Sequence, residues 1–194
     1  MPLPYPDRMP NPSIGRMVET ALSGAPMLGS TRLVLIDGPA GSGKTTLAGA
    51  LGEALSAQVL HGDDMYEGWN GLGTLWETLG EQVLLPLAQG RSGRFRRWDW
   101  VASSRGDVID VPRARALVIE GVGVAQRRGR EFANLVVYID APWEERLRRG
   151  LARDGEHMRS EWERWQAAEV PFLEREGTRA AAHYDVDGTE PIFQ

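Results

Sequence analysis

A chain of 194 residues, 42% of them hydrophobic, is long enough to fold as one domain with a full core. Its 27 acidic and 22 basic residues leave a formal net charge of −5, which argues against a broad nucleic-acid footprint. There is no cysteine, so disulfide frameworks and thiolate metal sites are excluded, and no apolar run approaches the roughly 18 residues of a membrane span.

Residues 1–12 carry Pro2, Pro4, Pro6, Pro10 and Pro12 and read as an irregular arm. They lack the basic-then-apolar pattern of a secretion signal, and a cytoplasmic protein is expected. Ser13 is placed to cap a short helix running to about Leu22, and Gly24 to Ser30 lead into the first strand. Residues 1–30 are thus read as arm and short helix, and residues 31–194 as the main domain.

Arg32 to Asp37 is a short apolar, β-branched run and reads as a buried strand. It ends at Gly38-Pro39-Ala40-Gly41-Ser42-Gly43-Lys44-Thr45, which fits G-x-x-x-x-G-K-[ST], the phosphate-binding P-loop. Beyond it, Leu47, Leu51 and Leu55 fall at helical spacing. Strand, glycine loop and helix are the setting the motif requires. The glycines let the backbone curl into a nest of N–H donors, and the following helix turns its positive end toward bound phosphate. Gly38, Ala40, Gly41, Ser42, Gly43, Lys44, Thr45 and Thr46 are therefore the candidate ATP-binding residues, with the Thr45 hydroxyl placed for Mg²⁺. Lys44 is the only lysine among the 22 basic residues. A compact ammonium reaches between phosphates where a wide guanidinium fork does not.

Four apolar runs, Leu33–Ile36, Val59–His61, Ala116–Ile119 and Leu135–Ile139, recur with helical stretches between them, and Tyr184–Val186 is a fifth. The central runs are continuous rather than alternating, as in strands covered on both faces, so a parallel α/β sheet is expected. Ligands gather at the carboxyl ends of such strands. The second run ends in His61-Gly62-Asp63-Asp64-Met65-Tyr66 and the third in Glu120-Gly121. Two carboxylates beside a bound triphosphate are costly unless they hold Mg²⁺ or a substrate hydroxyl. After the fourth run, Arg146, Arg149 and Arg153 are spaced to share one helix face, which would suit the charge of a transferring phosphoryl group.

The remaining segments are less specific. Residues 156–177 read as a helix anchored by Met158, Trp162, Trp165 and Val170 until Pro171 interrupts it. His61 reads as strand-end packing, and His157 and His183 as ordinary surface residues. Four of the seven tryptophans, Trp69, Trp76, Trp98 and Trp100, fall between Asp64 and Ser103 and offer flat stacking surfaces. Trp98 and Trp100, which flank Asp99, are the best pocket candidates among them. With no second lysine there is no Asn-Lys-x-Asp guanine motif, and no Leu-Ser-Gly-Gly-Gln transporter signature is present. A small-molecule or nucleotide kinase remains.

Residues 32–155 resemble the uridine kinase group of P-loop kinases, which includes nicotinamide riboside kinases. Gly62-Asp63-Asp64-Met65-Tyr66 resembles that group's Gln-Asp-Ser-Phe-Tyr. Arg97-Trp98-Asp99-Trp100-Val101-Ala102-Ser103-Ser104-Arg105 resembles its Tyr-Asp-Tyr-x-x-His-Ser-Arg, and the segment Arg146 to Asp154 its arginine-rich lid. The resemblance implies a P-loop NTPase fold, a three-layer α/β/α sandwich with a mostly parallel five-stranded sheet and a short lid at about residues 144–160. It implies an ATP- and Mg²⁺-dependent transfer to a hydroxyl of a nucleoside-like or other small acceptor. Lys44, Asp63, Arg149 and Arg153 would be catalytic, with Asp63 the general base. Thr45, Asp64 and Glu120 would serve the metal. Asp63, Tyr66, Trp98, Asp99, Ser103 and Arg105 would bind the acceptor. The group has histidine at Ser103 and tyrosine at Trp98, positions that face the acceptor base, so the acceptor is left open. Two rival readings stand beside this one. A nucleoside monophosphate kinase would use Arg94, Arg96 and Arg97 on the acceptor phosphate. A regulatory ATP-binding protein would need no base at Asp63. The expected partner is a small molecule, with neither nucleic acid nor membrane; a homo-oligomer is left open.

Overall fold

The computed structural model describes residues 10–191. Pro2, Pro4 and Pro6 of the arm lie outside these residues. Helix α1 (Ile14–Leu22) starts where its cap requires, with Ser13 Oγ accepting the N–H of Arg16 at 3.2 Å. Strand β1 (Arg32–Asp37) leads through the glycine loop into α2 (Lys44–Leu55), followed by β2 (Gln58–His61). A run from residue 75 to 88 joins α3 (Leu75–Thr78), a π turn and α4 (Leu85–Ala88). Then come the hairpin β3 (Gly93–Asp99) and β4 (Ser104–Val111), β5 (Ala116–Glu120), α5 (Arg127–Arg130) and β6 (Ala133–Asp140). The chain finishes with α6 (Trp143–Asp154), α7 (Arg159–Glu176), α8 (Thr178–Ala181) and β7 (Tyr184–Asp187).

The five expected strands form one sheet in the order β2-β5-β1-β6-β7, and every neighbouring pair is parallel. Because side chains alternate across a strand, each continuous apolar run feeds two cores. Val34, Ile36, Val118, Leu135, Val137 and Ile139 pack with α1 and α2. Leu33, Leu35, Leu117, Ile119 and Val136 pack on the opposite side, with residues of the 75–88 run and with Trp165, Phe172 and Leu173 of α7. Each fully buried aliphatic side chain contributes about 1.5–3 kcal/mol, so this two-sided burial stabilises the three layers.

Residues 93–111, for which no strand is expected from the sequence, form an antiparallel hairpin that pairs with no strand of the main sheet. One expectation about the helices is corrected. Helix α7 runs through Pro171 to Glu176. The carbonyl deprived of its partner by that proline belongs to Ala167, and both residues lie on the exposed face, where water can replace the lost bond. The arm is fastened to the last strand: Asn11 donates to the Asp187 carbonyl and accepts its N–H, both at 2.8 Å.

Candidate active site

The glycine loop is shaped by close approaches that only glycine allows. Gly38 has φ 140° and Gly41 has φ 79°. A Cβ at Gly38 would lie 2.0 Å from the Ile139 carbonyl oxygen, and one at Gly41 would lie 2.5 Å from that of Arg146. Asp37, fully buried at the end of β1, accepts N–H bonds from Gly38, Gly123 and Ala125 at 2.7, 2.7 and 2.9 Å. It thereby clamps the loop after β5 to the start of the P-loop. Burial pushes its carboxyl up to about 6, although those three N–H groups and Lys44 pull it down.

A second carboxylate supports the loop from α7. Glu169 of α7, wholly buried, accepts the Ala40 N–H at 2.8 Å and a guanidinium N–H of Arg146 at 2.7 Å. Arg146 also donates to the Ala141 and Ala40 carbonyls. Sequence reasoning missed Asp37 and Glu169. A charged residue at a hydrophobic position was the available signal in each case. Arg146 leaves the face shared with Arg149 and Arg153: it is buried and structural, because it alone faces Glu169.

The N-terminus of α2 has no side-chain cap, so its orphan N–H groups are left for an anion. Lys44 Nζ is folded back on the loop and donates to the Gly38 and Pro39 carbonyls at 2.9 and 2.8 Å. A cavity of about 690 Å³ opens from this loop. Its wall brings together Ala40, Gly41, Gly43, Lys44 and Thr45 with Asp63, Tyr66, Glu120, Arg149 and Arg153. Asp63 sits in a 3₁₀ turn (Gly62–Asp64) at the end of β2, deep in the fold yet accessible to solvent through the cavity. Burial, and then the nearby Glu120 charge, raise its carboxyl above the ordinary aspartate range, against Lys44, Arg153 and His61. A raised carboxylate is the stronger proton acceptor.

Glu120 Oε1 accepts from Thr45 Oγ1 at 3.1 Å and lies 2.8 Å from His61 Nδ1. Burial raises the Glu120 carboxyl, but His61, Lys44 and Thr45 more than offset it and the net shift is downward. The bond to Glu120 lifts His61 in turn, so this histidine is a partner of the site rather than strand-end packing. Magnesium takes oxygen ligands and keeps several waters. The adjacent Thr45 hydroxyl and Glu120 carboxylate are such oxygen donors and fit that ion. Among the described residues there is no cluster of three or more His, Cys, Asp or Glu side chains that could hold a metal ion.

Several expected residues lie elsewhere. Asp64 is not on the cavity wall, and Thr46, in the first turn of α2, is exposed and does not line it. Tyr66 offers its ring to the cavity while its hydroxyl donates to the Val122 carbonyl at 2.6 Å. Trp98, Asp99, Ser103 and Arg105 are drawn into the hairpin and do not line the cavity. Asp99 Oδ1 caps the hairpin turn, accepting the N–H of Val101 and of Ala102, both at 2.9 Å. Ser103 closes that turn at φ 48°. Arg105 bonds Arg96, Met65, Glu67 and Thr78 and lies against the Trp98 ring. Hairpin pairing, invisible in a motif match, redirects all four. Of the two expected tryptophans Trp100 does line the cavity, and Trp69, Trp162 and Trp165 join it, as do Met158 and His157. His183 is not an ordinary surface residue either, since its Nδ1 accepts the Val136 N–H at 3.0 Å.

A parallel α/β/α sandwich whose central glycine loop opens on such a cavity defines a P-loop protein. A family model described as AAA domain matches residues 34–170, most of the chain, and the chain belongs to that family. Uridine kinases from Borrelia duttonii (strain Ly) and Borrelia recurrentis (strain A1) are each 26% identical over 140 residues, covering 63% of this chain and 67% of the relative. A solved structure described as a possible uridine kinase from Bacillus stearothermophilus superposes with a TM-score of 0.63 at 22% identity, covering 90% of this chain and 97% of that one. Another, assigned as a fructose transport system kinase from Silicibacter sp. TM1040, gives 0.66 at 18% identity over 89% and 98%. These two structures share the fold. Among the described residues no helix is long and apolar enough to cross a membrane.

Proposed function

We propose that this protein is an ATP-dependent small-molecule kinase that transfers the γ-phosphate to a hydroxyl group. The observation that carries this reading is the meeting of Asp63, Lys44, Thr45 and Glu120 on one cavity wall. The names of the uridine kinase relatives support it. The uncapped N-terminus of α2 and the loop amides bind the phosphates. Lys44 exchanges its loop carbonyls for phosphate oxygens. Thr45 and Glu120 would hold Mg²⁺, which would supply neutralisation of phosphate charge. Asp63 orients the acceptor hydroxyl and takes its proton, and Arg149 and Arg153 of the lid stabilise the charge of the transferring group. No covalent intermediate on the protein is required. The cytoplasm, where ATP is abundant, is the compartment such a reaction needs.

The nucleoside monophosphate reading loses its phosphate anchors. Arg94 and Arg97 pair with Asp110 and Asp107 across the hairpin, Arg96 donates to Gly106, and none of the three lines the cavity. An ADP-release assay over nucleosides, nucleotides, sugars and vitamins tests the choice. Release driven by alcohols supports the proposal, release driven by monophosphates supports the alternative, and release by neither points to a regulatory nucleotide binder.

A further inference from the structure

The cavity has two unlike ends. The P-loop lies at the centre of the sheet, and Asp63 follows β2 at one edge. Beyond Asp63 the wall is built from Tyr66, Trp69, Trp100, Trp162 and Trp165. Trp69 is the hub, with edge-on contacts to Trp100, Trp162 and Trp165 at centroid separations of 5.4, 6.4 and 6.0 Å. Tyr66 tilts against Trp165 at 5.2 Å. Rings braced against one another in this way form a preorganised wall rather than loose surface.

Three of the five polar tips of this wall are already engaged. Trp100 Nε1 donates to the Asp63 carbonyl, Trp162 Nε1 to Asp154, and the Tyr66 hydroxyl to Val122. Asp154 is taken by Arg153 as well. What Tyr66, Trp100 and Trp162 present to a ligand is ring face rather than hydrogen-bonding capacity. A ribonucleoside needs the reverse, partners for its base edge and its sugar hydroxyls. The residues that could have supplied them, Asp99, Ser103 and Arg105, are committed to the hairpin. The charged side chains named on the wall balance in number, with Lys44, Arg149 and Arg153 matched by Asp63, Glu120 and Asp154, and Arg153 pairs directly with Asp154.

We infer that the acceptor is a neutral alcohol borne on a flat apolar ring system, bound by stacking among Trp69, Trp100, Trp162 and Trp165 with its hydroxyl turned to Asp63. The inference rests on the kinase reading and deepens it. Trp100 is the practical probe because it is 39% exposed and its loss leaves the buried core intact.

The test uses 2-naphthalenemethanol, uridine and choline, with ring-stacked binding followed by calorimetry and transfer followed by labelled phosphate from MgATP. The expected result is that 2-naphthalenemethanol binds at least tenfold more tightly than the other two and accepts phosphate. Trp100→Ala and Trp69→Leu should each weaken its binding about tenfold. Trp143→Ala, on the outer face of α6 and away from the cavity, should not. Equal or tighter binding of uridine or choline overturns the inference, as does unchanged binding by both tryptophan variants. Transfer to uridine without naphthyl binding leaves the kinase reading standing and removes this one. Naphthyl binding with MgATP bound, but no transfer to any alcohol, removes the kinase reading and keeps the ligand class of the pocket.

Discussion

Replacing Lys44 by arginine keeps the charge and should still abolish most of the activity. The Nζ atom is a single small cation seated between two carbonyl oxygens at 2.9 and 2.8 Å, on a residue only 7% exposed. A guanidinium spreads the same charge over a rigid plane and cannot occupy that point or move from it into a phosphate cradle. Removing one well-placed stabiliser of transition-state charge costs about 2.7–4 kcal/mol, or roughly 100- to 1,000-fold in rate. Lys44→Arg should therefore lower kcat by at least about 100-fold. ADP release, measured with an acceptor that supports turnover of the wild type, gives the rate. Circular dichroism and thermal melting establish that the fold persists. A variant that folds and turns over within about threefold of wild type would refute the reasoning. The sole lysine of the chain would then be an accident of composition and not a requirement of the site.

Asp63→Asn should retain ATP binding by calorimetry yet lose at least about 100-fold in rate, the usual scale for a lost general base; a near-normal rate removes Asp63 from that role. Gly41→Ala forces a Cβ to within 2.5 Å of the Arg146 carbonyl at a φ of 79°. It should cost about 1–3 kcal/mol in urea unfolding and weaken ATP binding, whereas unchanged values for both would show that the loop relaxes freely. Asp37 gives a pH signature. Burial lifts its folded-state value from 3.8 to about 6, so the folded protein holds a proton that the unfolded chain has released between those values. Stability from this group is fully present below about pH 4 and is lost as the pH rises through 6, about 3 kcal/mol in all. Between about pH 4 and 7 the unfolding free energies of wild type and Asp37→Asn should shift by that amount in the variant's favour. A difference independent of pH would show that Asp37 is not titrating there.

Much of this architecture can be read along the chain because its cause is local. The three central strands are continuous apolar runs, the Ser13 cap is a short-range hydrogen bond, and the P-loop is a contiguous string whose glycines take up left-handed backbone angles. Strand-end placement likewise allowed Asp63 and Glu120 to be expected beside Lys44 and Thr45, since parallel strands direct their carboxyl ends to one rim. The acceptor end depends on pairing between distant segments. Whether Asp99 faces a ligand or caps a turn is decided by β3 meeting β4, and whether Trp162 and Trp165 reach the cavity is decided by the packing of α7. Arg146 parts from Arg149 and Arg153 only because Glu169, far along the chain, lies opposite it. Local backbone chemistry determines where phosphate can be held. Burial and long-range side-chain partnering determine what can be placed beside it, because a charged or aromatic group has the same sequence signature whether it faces a cavity, a turn or a core.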